Sequence, residues 1–127
     1  MNYYYKKETQ MNFQDTVEKT KSELSKEGFG ILTEIDVKAT LKKKLDKEYD
    51  NYIILGACNP SLAYKALMAE KDIGLLLPCN VLVYEDKNKI FVSAIIPSVA
   101  MEMVPNLSLS EIVKEADEKL KKVIDAV

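Results

Sequence analysis

The chain has 127 residues, 47% hydrophobic and 30% charged, with 18 basic against 20 acidic side chains and a net charge of −2. This length fits one domain over residues 1–127, large enough to bury roughly two-thirds of its unfolded surface without metal or disulfide staples. The near-neutral charge offers no general field for nucleic acid or an anionic membrane, and the absence of His, Trp and Arg excludes a Ser-His-Asp triad, a Cys-His pair, a His-ligated metal and an arginine finger.

Tyr3 to Glu8 reads as a tyrosine-rich strand whose three adjacent rings alternate faces, as at an edge packing against a helix or a subunit. A helix follows from about Phe13 to Glu27, with Asn12 as its cap, Phe13, Val17 and Leu24 near helical spacing, and Gly28 ending it. Phe29, Ile31, Ile35 and Val37 then fall on one side of a period-2 pattern, with Leu32, Glu34 and Asp36 on the other. Asp36 can cap a short helix over Val37 to Leu45, where Lys42, Lys43, Lys44 and Lys47 form a solvated basic end favoured by the helix dipole. Tyr52 to Ala57 is a continuous apolar run, expected as a central strand covered on both faces. Asn59-Pro60 opens the next helix, since Asn is a favoured cap and Pro suits the first helical position.

Asn80 to Glu85 and Ile90 to Ile96 flank Asp86-Lys87-Asn88-Lys89, a pattern that predicts a hairpin with a four-residue loop. The last helix is signalled by a Ser108/Glu111 capping box, a Leu107–Ile112 staple and a stripe of Ile112, Val113, Ala116, Leu120, Val123, Ile124 and Val127. About five strands interleaved with helices imply an α+β sandwich, a largely antiparallel sheet with helices on one face. No Gly-rich phosphate loop follows any strand.

The start, MNYYYKKE, lacks the layout of a secretory leader, and the longest apolar runs fall far short of the ~20 residues that span a bilayer. A cytoplasmic location is therefore expected, and in that compartment Cys58 and Cys79 are free thiols.

Those two cysteines sit in near mirror-image tripeptides, Cys58-Asn59-Pro60 and Pro78-Cys79-Asn80. If they occupy the same end of neighbouring strands, they are close in space. Cys58 also precedes a helix cap, where backbone N–H groups favour a thiolate. Plain packing accounts for both equally well, because reduced Cys is among the most buried residue types. Two thiolates suit Cu(I) or, with further ligands, Zn; Met101 and Met103 can add thioethers and Glu34 a carboxylate, although no C-x-x-C spacing accompanies them. Glu34 can alternatively serve as a general acid or base in a pocket, or simply face water.

Taken in order, Gly28 to Val37 (GFGILTEIDV), Leu55 to Pro60 (LGACNP), Leu77 to Val81 (LPCNV) and the hairpin ending at Pro97 resemble the bacterial and archaeal family catalogued as domain of unknown function 302. The resemblance spans nearly the whole chain. It implies a small α+β homodimer with no established activity, and it is to the cysteine-bearing branch; another branch keeps the Asn-Pro and Pro positions without the thiols.

The expected functional region is the sheet end holding Cys58, Asn59, Pro60, Pro78, Cys79 and Asn80, with Glu34 as a further candidate. Three readings remain open there: a non-catalytic small-ligand or accessory protein, a redox, sulfur-handling or soft-metal protein using both thiols, and a protein whose role is its partner interaction. No nucleic-acid or membrane partner is expected.

Overall fold

Five strands, β1 (Tyr4–Thr9), β2 (Gly30–Asp36), β3 (Tyr52–Cys58), β4 (Cys79–Asp86) and β5 (Lys89–Ile95), form one sheet in the order β1-β5-β4-β3-β2, every neighbouring pair antiparallel. The computed structural model describes residues 2–127. Helices α1 (Phe13–Lys26), α2 (Val37–Leu45), α3 (Pro60–Ala69), α4 (Pro97–Ala100) and α5 (Ser110–Ala126) complete the α+β architecture, with 3-10 turns over Lys71–Leu76 and Leu107–Leu109. No helix among the described residues is long and apolar enough to cross a membrane.

Three helix starts follow directly from their cap residues. Asn12 Oδ1 accepts from Asp15 N–H at 2.8 Å, Asp36 Oδ1 from Ala39 N–H at 2.9 Å and Asn59 Oδ1 from Leu62 N–H at 3.3 Å, each satisfying a donor that has no partner within its helix. The two threonines buried on α1 bond back along it, Thr16 Oγ1 to Asn12 O and Thr20 Oγ1 to Thr16 O, both at 2.7 Å. Gly28, at φ +84°, turns the chain out of α1 toward β2.

One sheet face carries the core. Ile53, Leu55 and Ala57 of β3, Val81 and Val83 of β4, and Val92 and Ala94 of β5 are buried against Val17 and Leu24 of α1 and Leu120, Val123 and Ile124 of α5. A second apolar cluster, around Ala66, Ile73, Met101 and Leu109, lies beside the chain end of β3 and the start of β4. On the opposite sheet face Tyr52 stacks on Tyr84 with centroids 5.3 Å apart, and Tyr84 meets Phe91 at 5.5 Å. Lys6 Nζ lies within 6 Å of the Tyr4, Tyr84 and Phe91 rings and donates to Tyr84 Oη at 3.2 Å. Ile54, Leu82 and these rings remain only half-buried, so β3 is covered on one face and not, as its continuous apolar run suggested, on both.

Four further local expectations need correction. The register of β2 on β3 shifts between Ile31 and Thr33; this bulge at Leu32 breaks the period of 2, so Ile31 and Ile35 fall on opposite faces and Glu34 shares a face with Leu55. The hairpin turn has two residues rather than four, since Asp86 pairs with Lys89 and both Lys87 (φ 51°) and Asn88 (φ 66°) are left-handed, the geometry of a type I′ turn. Ser108 does not cap α5; its N–H bonds to Asn106 Oδ1 at 2.9 Å, and the 3-10 turn delays the helix to Ser110. Leu107, at 91% exposed, makes no staple.

Gly56 of β3 sets how closely Thr33 of β2 and Pro78, just before β4, approach near the sheet end. A Cβ there would overlap Thr33 Oγ1 and come within 2.9 Å of Pro78 Cγ. Gly56→Ala is expected to cost about 1–3 kcal/mol, the usual penalty of overpacking, measured as a fall in urea midpoint at unchanged slope; no change in midpoint would mean that β2 yields freely.

Candidate functional site

The site is built at the seam between the two apolar clusters. The last residue of β3, Cys58, and the first of β4, Cys79, lie at the same end of adjacent strands, with Cys79 directly opposite Ala57. Both cysteines are half-buried and free. Their strands are antiparallel neighbours joined through α3 and the Lys71–Leu76 turn, which accounts for the 21-residue separation.

Both thiol residues border one cavity of about 40 Å³. Ala57, Ala63, Ala66 and Ala116 help line it, small side chains that leave a gap where larger ones would close the seam. Met101, Pro97, Leu77 and Pro78 wall it toward the outside. Apart from Asn59 and the two thiols the lining is apolar. The cavity is large enough to admit water-sized groups beside the two cysteines.

Outside it runs a larger groove, about 270 Å³, formed by Leu75 to Asn80 with Ile95, Pro97, Ala100 and Met101. Leu77, Pro78, Cys79, Pro97 and Met101 belong to both spaces and form the partition between them. The Leu77–Pro78 peptide is cis. α4 carries the outer wall and is held to α5 by Ser98 N–H, which donates to Asp117 Oδ1 at 2.9 Å.

The predicted residues divide clearly. Cys58, Asn59, Pro78 and Cys79 line the cavity, and Asn80 joins Pro78 and Cys79 at the groove. Pro60 is the first residue of α3 and is exposed. Asn59 is a structural tie: beyond capping α3, its Nδ2 donates to Glu27 O at 3.2 Å, joining the end of α1 to the start of α3. Glu34 is not brought here; it pairs with Lys21 Nζ of α1 at 2.6 Å and borders neither space. Of the two methionines only Met101 reaches the site, and Met103 is 74% exposed. Pro97, Asp117 and the small lining residues escaped the sequence reading. A spacing of Ala63, Ala66 and Ala116 is visible in the sequence, but nothing local says that α3 and α5 face the same gap.

The electrostatics separate Cys79 from a conventional reactive thiol. Burial, then the neighbouring Cys58 and Asp117, push its pKa up from 9.0 to about 11, because a thiolate loses more than a thiol on leaving water. Cys79 is therefore protonated at neutral pH. Since the folded value lies above the unfolded one, the associated stability is present below about pH 9 and is lost as pH rises toward 11. Iodoacetamide at neutral pH should label Cys79 far more slowly in the native than in the urea-unfolded protein. Equal rates in a mass-spectrometric time course would show that the site opens freely.

Among the described residues no group of three or more His, Cys, Asp or Glu side chains gathers to hold a metal. That removes a four-coordinate Zn site built with Glu34, because Zn in structural sites takes four N, S or O ligands.

No curated protein matches the sequence. Among solved structures, the chain is similar to the crystal structure of an uncharacterized conserved protein DUF302 from Bacillus stearothermophilus, at 25% identity and a TM-score of 0.93, covering 99% of this chain and 98% of that one. The model of the family described as domain of unknown function DUF302 matches residues 5–127. With nearly the whole chain matched, from β1 to the end of α5, the protein belongs to the DUF302 family.

Proposed function

We propose that this protein is a homodimeric small-ligand-binding or accessory protein whose site is the groove over Pro78-Cys79-Asn80, with the Cys58/Cys79 cavity as its floor. The observation that carries the reading is the shared partition: one concave apolar surface, with a few polar groups along it, continues from an outer groove into an inner pocket. Binding sites have this character, and their usual volume of about 300–1,000 Å³ begins near the size of this groove. An intracellular setting, where the thiols stay reduced, belongs to the same reading.

Anilinonaphthalene sulfonate, titrated by fluorescence, tests the groove. Ala100→Trp should weaken binding by at least about tenfold, or ~1.4 kcal/mol, without lowering Tm, while Cys58→Ala/Cys79→Ala should leave it within that factor. A loss of more than about tenfold in the folded double cysteine variant would instead favour the thiol or soft-metal reading, which draws on the meeting of Cys58, Cys79 and Met101 at one cavity.

The dimer expected from the family resemblance has a natural surface in the uncovered sheet face. Antiparallel sheets that face water are ordinarily polar on that side, whereas this face presents Tyr52, Ile54, Leu82, Tyr84 and Phe91. Its central cation, Lys6, is already engaged by rings and by Tyr84 Oη, so its ammonium keeps partners when two copies pair. Light scattering should give twice the chain mass at micromolar concentration and a monomer for Leu82→Asp. A monomeric wild-type chain would refute the assembly.

A further inference from the structure

We propose that the ligand of the groove is a linear, uncharged alkyl chain, such as that of a fatty alcohol, threaded tail first past Met101 into the inner cavity. The inference rests on the reading that the groove over Pro78-Cys79-Asn80 is the functional site, and it names the class of molecule that site takes.

The two spaces taper inward. The groove measures about 270 Å³ and the cavity behind it about 40 Å³, a site wide at its mouth and slim at its end, which is the profile of a chain. Met101 stands where they meet. It borders both spaces and also a third hollow of about 480 Å³, formed with Glu102, Asn106 and Ser110, yet it is only 9% exposed. An unbranched thioether side chain changes rotamer readily, whereas Pro78 and Pro97 in the same partition are rings fixed to the main chain. Met101 is therefore the partition residue that can swing aside, and the third hollow gives it somewhere to go.

The lining selects against charge. In a chain that is 30% charged, no Asp, Glu or Lys among the described residues borders the groove or the cavity. The cavity's one amide, Asn59, is engaged at both ends, Oδ1 by Leu62 N–H and Nδ2 by Glu27 O, and thiols are weak hydrogen-bonding groups. An ionic group inside would be unpaired in apolar surroundings, at a high cost in desolvation. A peptide is little better served, since its backbone N–H and C=O groups need partners and Pro78 and Pro97 have no N–H to give. An alkyl chain asks for none. Its hydroxyl can stay at the mouth, where Asn80 is exposed.

The interior gains from such a guest. The cavity touches Phe29 and Ala57 of one apolar cluster and Ala66 and Met101 of the other, so methylenes placed there would join the two into one core. Apolar cavities take apolar groups in preference to water.

The experiment titrates the full-length chain with straight-chain primary alcohols from hexanol to decanol by calorimetry, and repeats the series by NMR on protein with methyl-labelled methionine. The expected result is one site per chain whose affinity rises about fourfold for each added methylene (~0.8 kcal/mol). The Met101 methyl signal should shift most, while those of Met68 and Met103, both exposed, stay in place. Ala63→Leu and Ala116→Val narrow the cavity from α3 and from α5. Each should bind hexanol as the wild type does and lose at least about tenfold in affinity for decanol, roughly the worth of two methylenes. Circular dichroism identifies a variant that fails to fold, and the other then carries the test.

Affinity that does not depend on chain length, an unmoved Met101 methyl, or folded cavity variants that match the wild type at every length would overturn the proposal. Anilinonaphthalene sulfonate on the same samples separates the two readings. Dye binding that Ala100→Trp weakens, beside a flat alcohol series, leaves the groove standing and removes the alkyl chain as its ligand. Binding of neither dye nor alcohols removes both.

Discussion

Leu55→Ala is expected to destabilise the protein by about 2–5 kcal/mol, the cost of deleting a buried leucine and leaving a cavity behind. Leu55 is 0% exposed in β3, beside Glu34 of β2 and Val81 of β4, with the α1 and α5 cluster above it. Domains of this size are stable by only about 5–15 kcal/mol, so the loss removes a large share of the total and lowers Tm by on the order of 10 °C. The neighbouring Ile54 provides the control, because alternation puts it on the other sheet face, where it is half-buried. Ile54→Ala should cost much less at low protein concentration. At higher concentration its effect should grow if a second copy covers that face, since dissociation then couples to unfolding. Thermal melts of the two variants across concentration give both answers, and equal costs at low concentration would contradict a one-sided core.

The difference between Leu55 and Ile54 marks where the sequence stops being informative. Tyr52 to Cys58 reads as apolar throughout, which says that the strand is central but not which neighbours it has. One side meets helices, and the other carries Tyr52, stacked on Tyr84 of β4. Signals carried by a single local hydrogen bond were legible: Asn12, Asp36 and Asn59 cap the helices that follow them. Signals that need a partner element failed. The bulge at Leu32 lies where Thr33 of β2 comes to pair with Gly56 of β3, and the delayed start of α5 depends on Asn106, whose side chain donates to Ala69 O and Glu70 Oε1 at the end of α3 while accepting from Ser108.

The candidate site divides in the same way. Two mirrored tripeptides pointed to Cys58 and Cys79, and the antiparallel pairing of β3 with β4 brings them to one cavity. Glu34 was attractive only as an acid on a mixed strand face. A bulge two residues before it decides that it meets Lys21 instead. Pro97 became part of the site through α4, a four-residue helix too short to leave a periodic pattern, which Ser98 N–H ties to Asp117 of α5.

Asn59→Ala is expected to cost about 1.5–2.5 kcal/mol, from loss of an N-cap at roughly 1 kcal/mol and of a second hydrogen bond at about 0.5–1.5 kcal/mol. The residue is unusual in using both ends of its amide, Oδ1 toward Leu62 N–H and Nδ2 toward Glu27 O. Asn59→Asp separates the two roles. It keeps the acceptor and places negative charge at a helix N-terminus, which is favourable, but it faces the Glu27 carbonyl with an oxygen in place of a donor. Its cost should therefore fall below that of alanine, with the Leu62 amide still protected from hydrogen exchange and the α1–β2 junction near Gly28 loosened. Asn59→Ala should loosen both. Because Asn59 follows Cys58 directly and lines the cavity, freeing the start of α3 in the alanine variant should also speed alkylation of Cys79 under native conditions. Faster alkylation without any loss of Leu62 protection would place the controlling motion in α4 and Met101, on the opposite wall.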